Sequence, residues 1–212
     1  MDSTSSTRTR RALHGLGELV LAGPQYRRSG TIRLRVAPDG IATVQDPGLR
    51  IEADALVAGG HRLPLTGTFA ELGERAGVDV GAPAGLYEDG SGVDPKDEIA
   101  IDSGEAARFL ECFARGDEAL RRLGGDDPPV LWPEHFDLAI TLDEVNYGVS
   151  LGDGYLAEPY AYVGPWQPRR GPFWNAPFGA ARPLAGLPDP DDVAAFFRDG
   201  RDRARHDAPA SP

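Results

Sequence analysis

The stretch Val130-Leu131-Trp132-Pro133-Glu134-His135-Phe136-Asp137-Leu138-Ala139-Ile140-Thr141-Leu142-Asp143-Glu144-Val145-Asn146-Tyr147-Gly148-Val149-Ser150 decides the fold. Phe136, Leu138, Ile140 and Leu142 recur with period two, so one face of a strand can be buried while Asp137, Ala139 and Thr141 point the other way. Val145, Tyr147 and Val149 repeat the pattern and predict a return strand, with Glu144, Asn146 and Gly148 on its alternate face. The chain is expected to fold around this segment.

Upstream, Thr31 to Val36 alternates, Pro38-Asp39-Gly40 is a turn, and Ile41 to Val44 resumes an apolar strand, which predicts a hairpin over Gly30 to Gln45. Leu49 to Leu56 and His61 to Leu65 extend it into an antiparallel meander, with Arg33, Arg35 and Arg50 on the wetter face. Before the meander, Leu13, Leu16, Val20 and Leu21 recur near helical spacing and predict an amphipathic helix over Arg8 to Ala22, stopped by Gly23-Pro24. Gly15 and Gly17 weaken that helix by about 1 kcal/mol each relative to alanine, which points to close packing against another element.

Thr66 or Thr68 can cap a short helix carrying Phe69, Leu72 and Ala76. Asp79 to Ile99 lacks periodicity and reads as a long surface excursion. Ser103 opens a second helix striped by Ala106, Phe109, Leu110 and Phe113, interrupted at Gly116 and continuing toward Leu123. Beyond the central strands, Pro159 to Val163 reads as another strand, and Gly164 to Pro190 as a covering loop rich in proline and aromatic rings. Asp189 or Asp191 starts a last helix with Val193, Ala194, Phe196 and Phe197 inward.

A chain of 212 residues with 41% hydrophobic residues is long enough for one sizeable core. The expected organisation is a disordered N-terminus over 1–7, one α+β domain over 8–204 and a disordered tail over 205–212, with an antiparallel β-sheet packed against two or three helices. The formal charge of -11 disfavours nucleic acid and anionic membranes, which need a positive footprint. Arg8, Arg10, Arg11, Arg27 and Arg28 read as solvated charges, because Tyr26 alone offers an aromatic ring among them. Cys112 is the single cysteine, so an intramolecular disulfide and a cysteine-rich zinc site are excluded; the expected state is a buried, inert thiol. Met1 to Gly23 imitates a signal peptide, but His14 and Glu18 interrupt its apolar region, and no run of 18 apolar residues exists, so a cytoplasmic location is expected. Lys96 is the only lysine, a composition that suits a GC-rich bacterial genome.

Several short motifs add a resemblance: Leu13-His14 with Glu18 on the first helix, Leu63-Pro64-Leu65 before a short helix, and Trp132 ahead of Phe136-Asp137-Leu138-Ala139. With Glu144 near Gly148, and then Tyr160-Ala161-Tyr162, this order resembles a bacterial family known only as a domain of unknown function. The resemblance implies the α+β architecture and no activity.

Two groups of side chains are candidates for chemistry. His14 and Glu18, four apart on one helix face, together with Glu134, His135 and Asp137, suit an acid/base pair or a divalent cation. The bland reading makes both histidines ordinary hydrogen-bonded residues. Trp132, Tyr147, Tyr160, Tyr162, Trp166 and Trp174 form the other group: rings with polar tips can line a small-molecule site, with Asp137, Glu144 and Asn146 orienting the ligand. Gly148-Val149-Ser150-Leu151-Gly152 matches a nucleophile-elbow pattern in letters only, since a strand rather than a helix is expected to follow. Tyr87 to Asp94 resembles a calcium loop in composition alone.

The leading expectation is a cytoplasmic ligand-binding or protein-interaction domain without catalysis, its ligand residues being Trp132, Glu144, Asn146, Tyr160 and Tyr162, with no cofactor indicated. The alternative is a small metal-assisted or acid/base enzyme using His14, Glu18, His135 and Asp137.

Overall fold

The computed structural model describes residues 3–124 and 128–209. The fold is α+β, with ten strands among these residues, and the strand pairs within each part of the chain run antiparallel. Contacts cluster into two compact units: residues 1–111 with 131–136, and residues 112–130 with 137–212.

In the first unit, the strands β1 (Leu34–Ala37), β2 (Gly40–Thr43), β3 (Arg50–Glu52), β4 (Ala55–Ala58) and β5 (His61–Pro64) form the expected meander. Asp39, at φ 63, turns β1 into β2. β6 (Val130–Trp132) pairs with β1 through Leu34 and Leu131. The short helix α3 (Phe69–Ala76) starts at Thr68, whose side chain accepts the Glu71 amide while Glu71 reaches back to the Thr68 amide, satisfying two orphan donors. Residues 79–99 form no regular element, as expected.

The N-terminal helix differs from its sequence pattern in three ways. It begins before Arg8: α1 spans Ser3–Gly15, so residues 3–7 are helical rather than disordered, while residues 1–2 lie outside the described residues. The Ser6 hydroxyl donates to Glu105, and buried Thr9 accepts the Asp102 amide at 3.0 Å, which ties this end down. Second, Leu16–Ala22 is wound as a π-helix whose seven residues are all buried, Glu18 included, so burial on every side replaces the expected amphipathic stripe. Third, Gly23-Pro24 does not stop the chain, because proline is tolerated in the first turn of α2 (Gly23–Ser29), where its missing N–H costs nothing.

The two glycines have the expected role. A Cβ on Gly17 would lie 2.6 Å from the Phe136 ring, and one on Gly15 would lie 3.0 Å from Phe69 and Val93. Gln25, fully buried, donates to the Thr31 and Arg33 carbonyls and accepts the Val44 and Gln45 amides, so it fastens α2 to the first hairpin with every polar site used.

The helix α4 (Ser103–Leu123) runs through Gly116 without interruption. In the second unit, β7 (Asp137–Leu142), β8 (Val145–Ser150), β9 (Tyr160–Pro165) and β10 (Ala180–Pro183) pair in sequence order. β10 lies inside the segment expected to be a covering loop; it is four residues long with no alternation of its own, and pairing with β9 defines it. Cys112 is buried, as expected.

Gly116 lets α4 close on Val149 and Leu138, while Tyr147 meets Phe197 edge-on at 6.0 Å from the last helix, α5 (Pro190–His206). Tyr147 and Val149 share one face of β8, so both helices cover the same side of these strands. Asp189 caps α5 reciprocally with Asp192. The expected tail is ordered to residue 209: Trp174 Nε1 donates to Asp207 at 2.9 Å and the Arg170 amide donates to the Ala208 carbonyl at 3.1 Å. Residues 210–212 lie outside the described residues.

Candidate functional site

The first group of candidate residues is brought together only in part. His14 and Glu18 lie in the first unit at the junction of α1 and the π-helix. The His14 ring stacks on Phe136 at 5.1 Å, and its Nε2 donates to the Pro133 carbonyl at 2.7 Å. That bond fixes the proton on Nε2 of a neutral ring, and burial pushes the imidazole below its ordinary 6.5. Glu18 is 3% exposed, and its carboxylate accepts from both the amide and the hydroxyl of Ser91. The Gly90 backbone sits against the same carboxylate, where a Cβ would lie 2.1 Å from Oε1. The Tyr87 hydroxyl is buried beside the Glu18 carboxylate, and burial together with that charge holds its pKa far above the ordinary value. The loop over 79–99 is thus clamped on the π-helix through Glu18, a polar lock in an apolar setting.

His135 and Asp137 depart from their expected places. His135 stands in the turn between β6 and β7, its side chain 67% exposed and 3.6 Å from Glu134, rather than on a strand face shared with Asp137. The alternation fails there because Phe136 takes φ 53, a left-handed conformation that breaks the strand before Asp137. Asp137 begins β7 in the second unit and accepts the Tyr162 hydroxyl. Among the described residues no group of three or more His, Cys, Asp or Glu side chains is arranged to hold a metal ion. Ser150 ends β8, buried, with its Oγ accepting the Gly152 amide at 3.1 Å, and the chain continues into β9 rather than into a helix.

Of the aromatic group, Tyr160, Tyr162 and Trp166 lie on the face of β7, β8 and β9 opposite the helices, whereas Tyr147 points to the helix side and Trp174 bonds Asp207. The register sets Tyr162 beside Gly148, Tyr160 beside Ser150 and Asn146 beside Thr141, and all of these point to that face. Gly148 is required there, since a Cβ would fall 2.5 Å from the Tyr162 hydroxyl. The Tyr160 hydroxyl donates to Asp153 at 2.6 Å, while Asn146 Oδ1 accepts from Thr141 at 2.8 Å and from Trp166 Nε1 at 3.4 Å. Burial, reinforced by the neighbouring carboxylates, pushes both phenols up and keeps them protonated as donors.

Phe178 stacks on Tyr160 at 6.3 Å and meets Tyr155 edge-on at 5.1 Å and Tyr162 at 6.2 Å. Trp166 is 63% exposed, and Tyr155 and Phe178 are also exposed. Tyr155 and Phe178 were not among the residues singled out for the site: they lie outside the alternating strands, and pairing of β9 with β10 delivers Phe178 to the tyrosines. Of the remaining candidates, Trp132 belongs to the first unit, where the Arg33 guanidinium lies 5.8 Å over its ring. Glu144 forms the β7–β8 turn with φ 60, its carbonyl accepting the Trp166 amide at 2.9 Å.

No helix among the described residues is long and apolar enough to cross a membrane. Comparison with family models, curated proteins and solved structures gives no match for this chain.

Proposed function

We propose that this chain is a ligand-binding domain without catalysis of its own, and that the open face of β7 to β9 receives the ligand. The observation that carries the reading is the gathering of five rings on one side of these strands, with Tyr160 buried and Trp166, Tyr155 and Phe178 exposed over it and its neighbours. Exposed rings packed on the strand tyrosines offer apolar area to a ligand, and Asn146 with the Asp137 and Asp153 carboxylates supplies polar neighbours. Such a surface suits a small molecule with a flat apolar side.

An acid/base enzyme is the weaker reading, because His14 Nε2 is held by the Pro133 carbonyl and Glu18 Oε2 by Ser91, while His135 is exposed in its turn and Asp137 belongs to the second unit. A thermal-shift screen of the full chain against aromatic metabolites and glycosides tests the proposal, read alongside tryptophan fluorescence. A hit should raise Tm and change the emission, and Trp166→Ala should abolish both effects. Hits that Trp166→Ala and Tyr155→Ala leave untouched, or a panel with no hit, would overturn it.

A further inference from the structure

A second feature of the same unit lies on the helix side of the sheet and goes beyond the aromatic face. Where the β7–β8 turn meets α5, a cleft with a cavity volume of about 40 Å³ is bordered by Asp143, Glu144, Tyr147, Arg169, Arg201 and Arg205. About 10–15 Å³ is enough for one water, so the space matches one small polar group and not a whole metabolite.

The lining is built rather than incidental. Asp143 and Glu144 occupy the two-residue turn at φ 53 and 60, the doubly left-handed geometry that suits the twist of a hairpin. Asp143 Oδ2 accepts from Arg201 Nε at 3.2 Å and Nη2 at 3.0 Å, and from Arg205 Nη2 at 2.7 Å. Arg201 and Arg205 are four apart on α5 and so share a helix face. Arg169 is held from behind, its Nε donating to the Ala204 carbonyl at 2.9 Å and its Nη1 to the Gln167 carbonyl at 3.1 Å.

Tyr147 is 0% exposed, and its hydroxyl is buried with no hydrogen-bond partner. An orphaned buried hydroxyl needs an explanation, and an unseen acceptor is the commonest one. Burial pushes this phenol up to about 12, so it is a donor at neutral pH. Guanidinium and phenol groups offer donors, and a guanidinium has no acceptor at all. The lining carries three arginines and two carboxylates, and Asp202 also acts on the phenol, so the donors rather than a net charge distinguish this cleft in a chain of formal charge -11.

We infer that this cleft is a binding site for a small oxyanion group, a carboxylate or a phosphate, which accepts from the Tyr147 hydroxyl and from the arginine N–H groups that Asp143 leaves unused. Asp143 is the internal competitor: its carboxylate holds the arginines in register and also lowers their pull on a ligand.

The test uses the full chain with sodium acetate and sodium phosphate as probes, against sodium chloride at matched ionic strength, read by thermal shift and calorimetric titration. Either oxyanion should stabilise the protein above the chloride background, and the stronger of the two identifies the source. Tyr147→Phe should weaken binding about tenfold, since a hydrogen bond to a charged acceptor is removed. Asp143→Asn should tighten it, because the competing charge is removed while the turn is kept. Stabilisation no greater than chloride, or Tyr147→Phe and Asp143→Asn both binding like the parent, would overturn the inference. Trp166→Ala should leave oxyanion binding unchanged, which separates this site from the aromatic face.

Discussion

Gly200 is the position on which the geometry of α5 depends, and Gly200→Ala measures that dependence. In an ordinary helix interior the substitution stabilises by about 1 kcal/mol, because alanine loses less backbone entropy. Here an added Cβ would lie 2.7 Å, 2.9 Å and 3.2 Å from Cγ2, Cγ1 and Cβ of Val163 on β9. Ordinary van der Waals contact begins near 3.4 Å, so helix and strand must part by more than half an ångström. Val163 cannot yield by turning, since a β-branched side chain is stiff at χ1 and the residue is fully buried. Overpacking of this kind costs roughly 1–3 kcal/mol, which exceeds the helical gain and leaves a net loss of about 1 kcal/mol.

For a chain of this size that loss lowers Tm by about 2–4 °C. Urea denaturation and a thermal melt of the two proteins give the number. The double variant Gly200→Ala/Val163→Ala supplies the control: the two closest contacts disappear and only the 3.2 Å approach to Cβ remains, so the alanine at 200 should become close to neutral, with a coupling energy of about 1–2 kcal/mol. An unchanged or raised Tm for Gly200→Ala alone would refute the reasoning. Additive effects in the double variant would do the same.

Three further outcomes are expected. Tyr147→Phe should raise stability by about 1 kcal/mol in anion-free buffer, since an unpartnered buried hydroxyl is removed; a destabilised variant would show that the hydroxyl has a partner. Ser91→Ala should cost about 2 kcal/mol and expose residues 79–99 to limited proteolysis, because buried Glu18 loses one of its two donors; parental stability with unchanged digestion would sink this account of the clamp. His14 is held below its ordinary 6.5 by burial, so the unfolded chain takes up a proton first as pH falls. Its contribution is therefore full above about pH 6.5 and is lost as pH falls through the folded value, so stability should drop less steeply between pH 7 and 5 in His14→Gln than in the parent. Identical slopes would rule out His14 as the source.

The elements legible in the sequence are those whose signal is local. Period-two burial announced the β1–β2 hairpin and the strands on either side of Asp143-Glu144; cap residues announced two helix starts, and the structure chose Thr68 over Thr66 and Asp189 over Asp191. Burial of Leu13, Leu16, Val20 and Leu21 followed from spacing, and the close approach behind Gly15 and Gly17 from the cost of glycine in a helix. Of the five expected ligand residues, Asn146, Tyr160 and Tyr162 fall on one face of adjacent strands, a grouping that the pairing of β8 with β9 decides.

What the sequence could not carry depends on segments that meet only after docking. The π-winding of Leu16–Ala22 has no sequence periodicity to announce it, and the Phe136 ring and the loop at Gly90 that pack against it come from distant parts of the chain. β10 is a strand because β9 offers it an edge. His135 left its expected face through one left-handed residue, Phe136, a conformation that no residue letter there announces. Arg201 and Arg205 reach Asp143 across 58 and 62 residues of chain, and Tyr147 acquires its cationic neighbours only when α5 closes on β8 and β9. Periodicity encodes which face of an element is buried, whereas the partner of a buried or charged group is chosen by tertiary packing, in which residues far apart in sequence become neighbours.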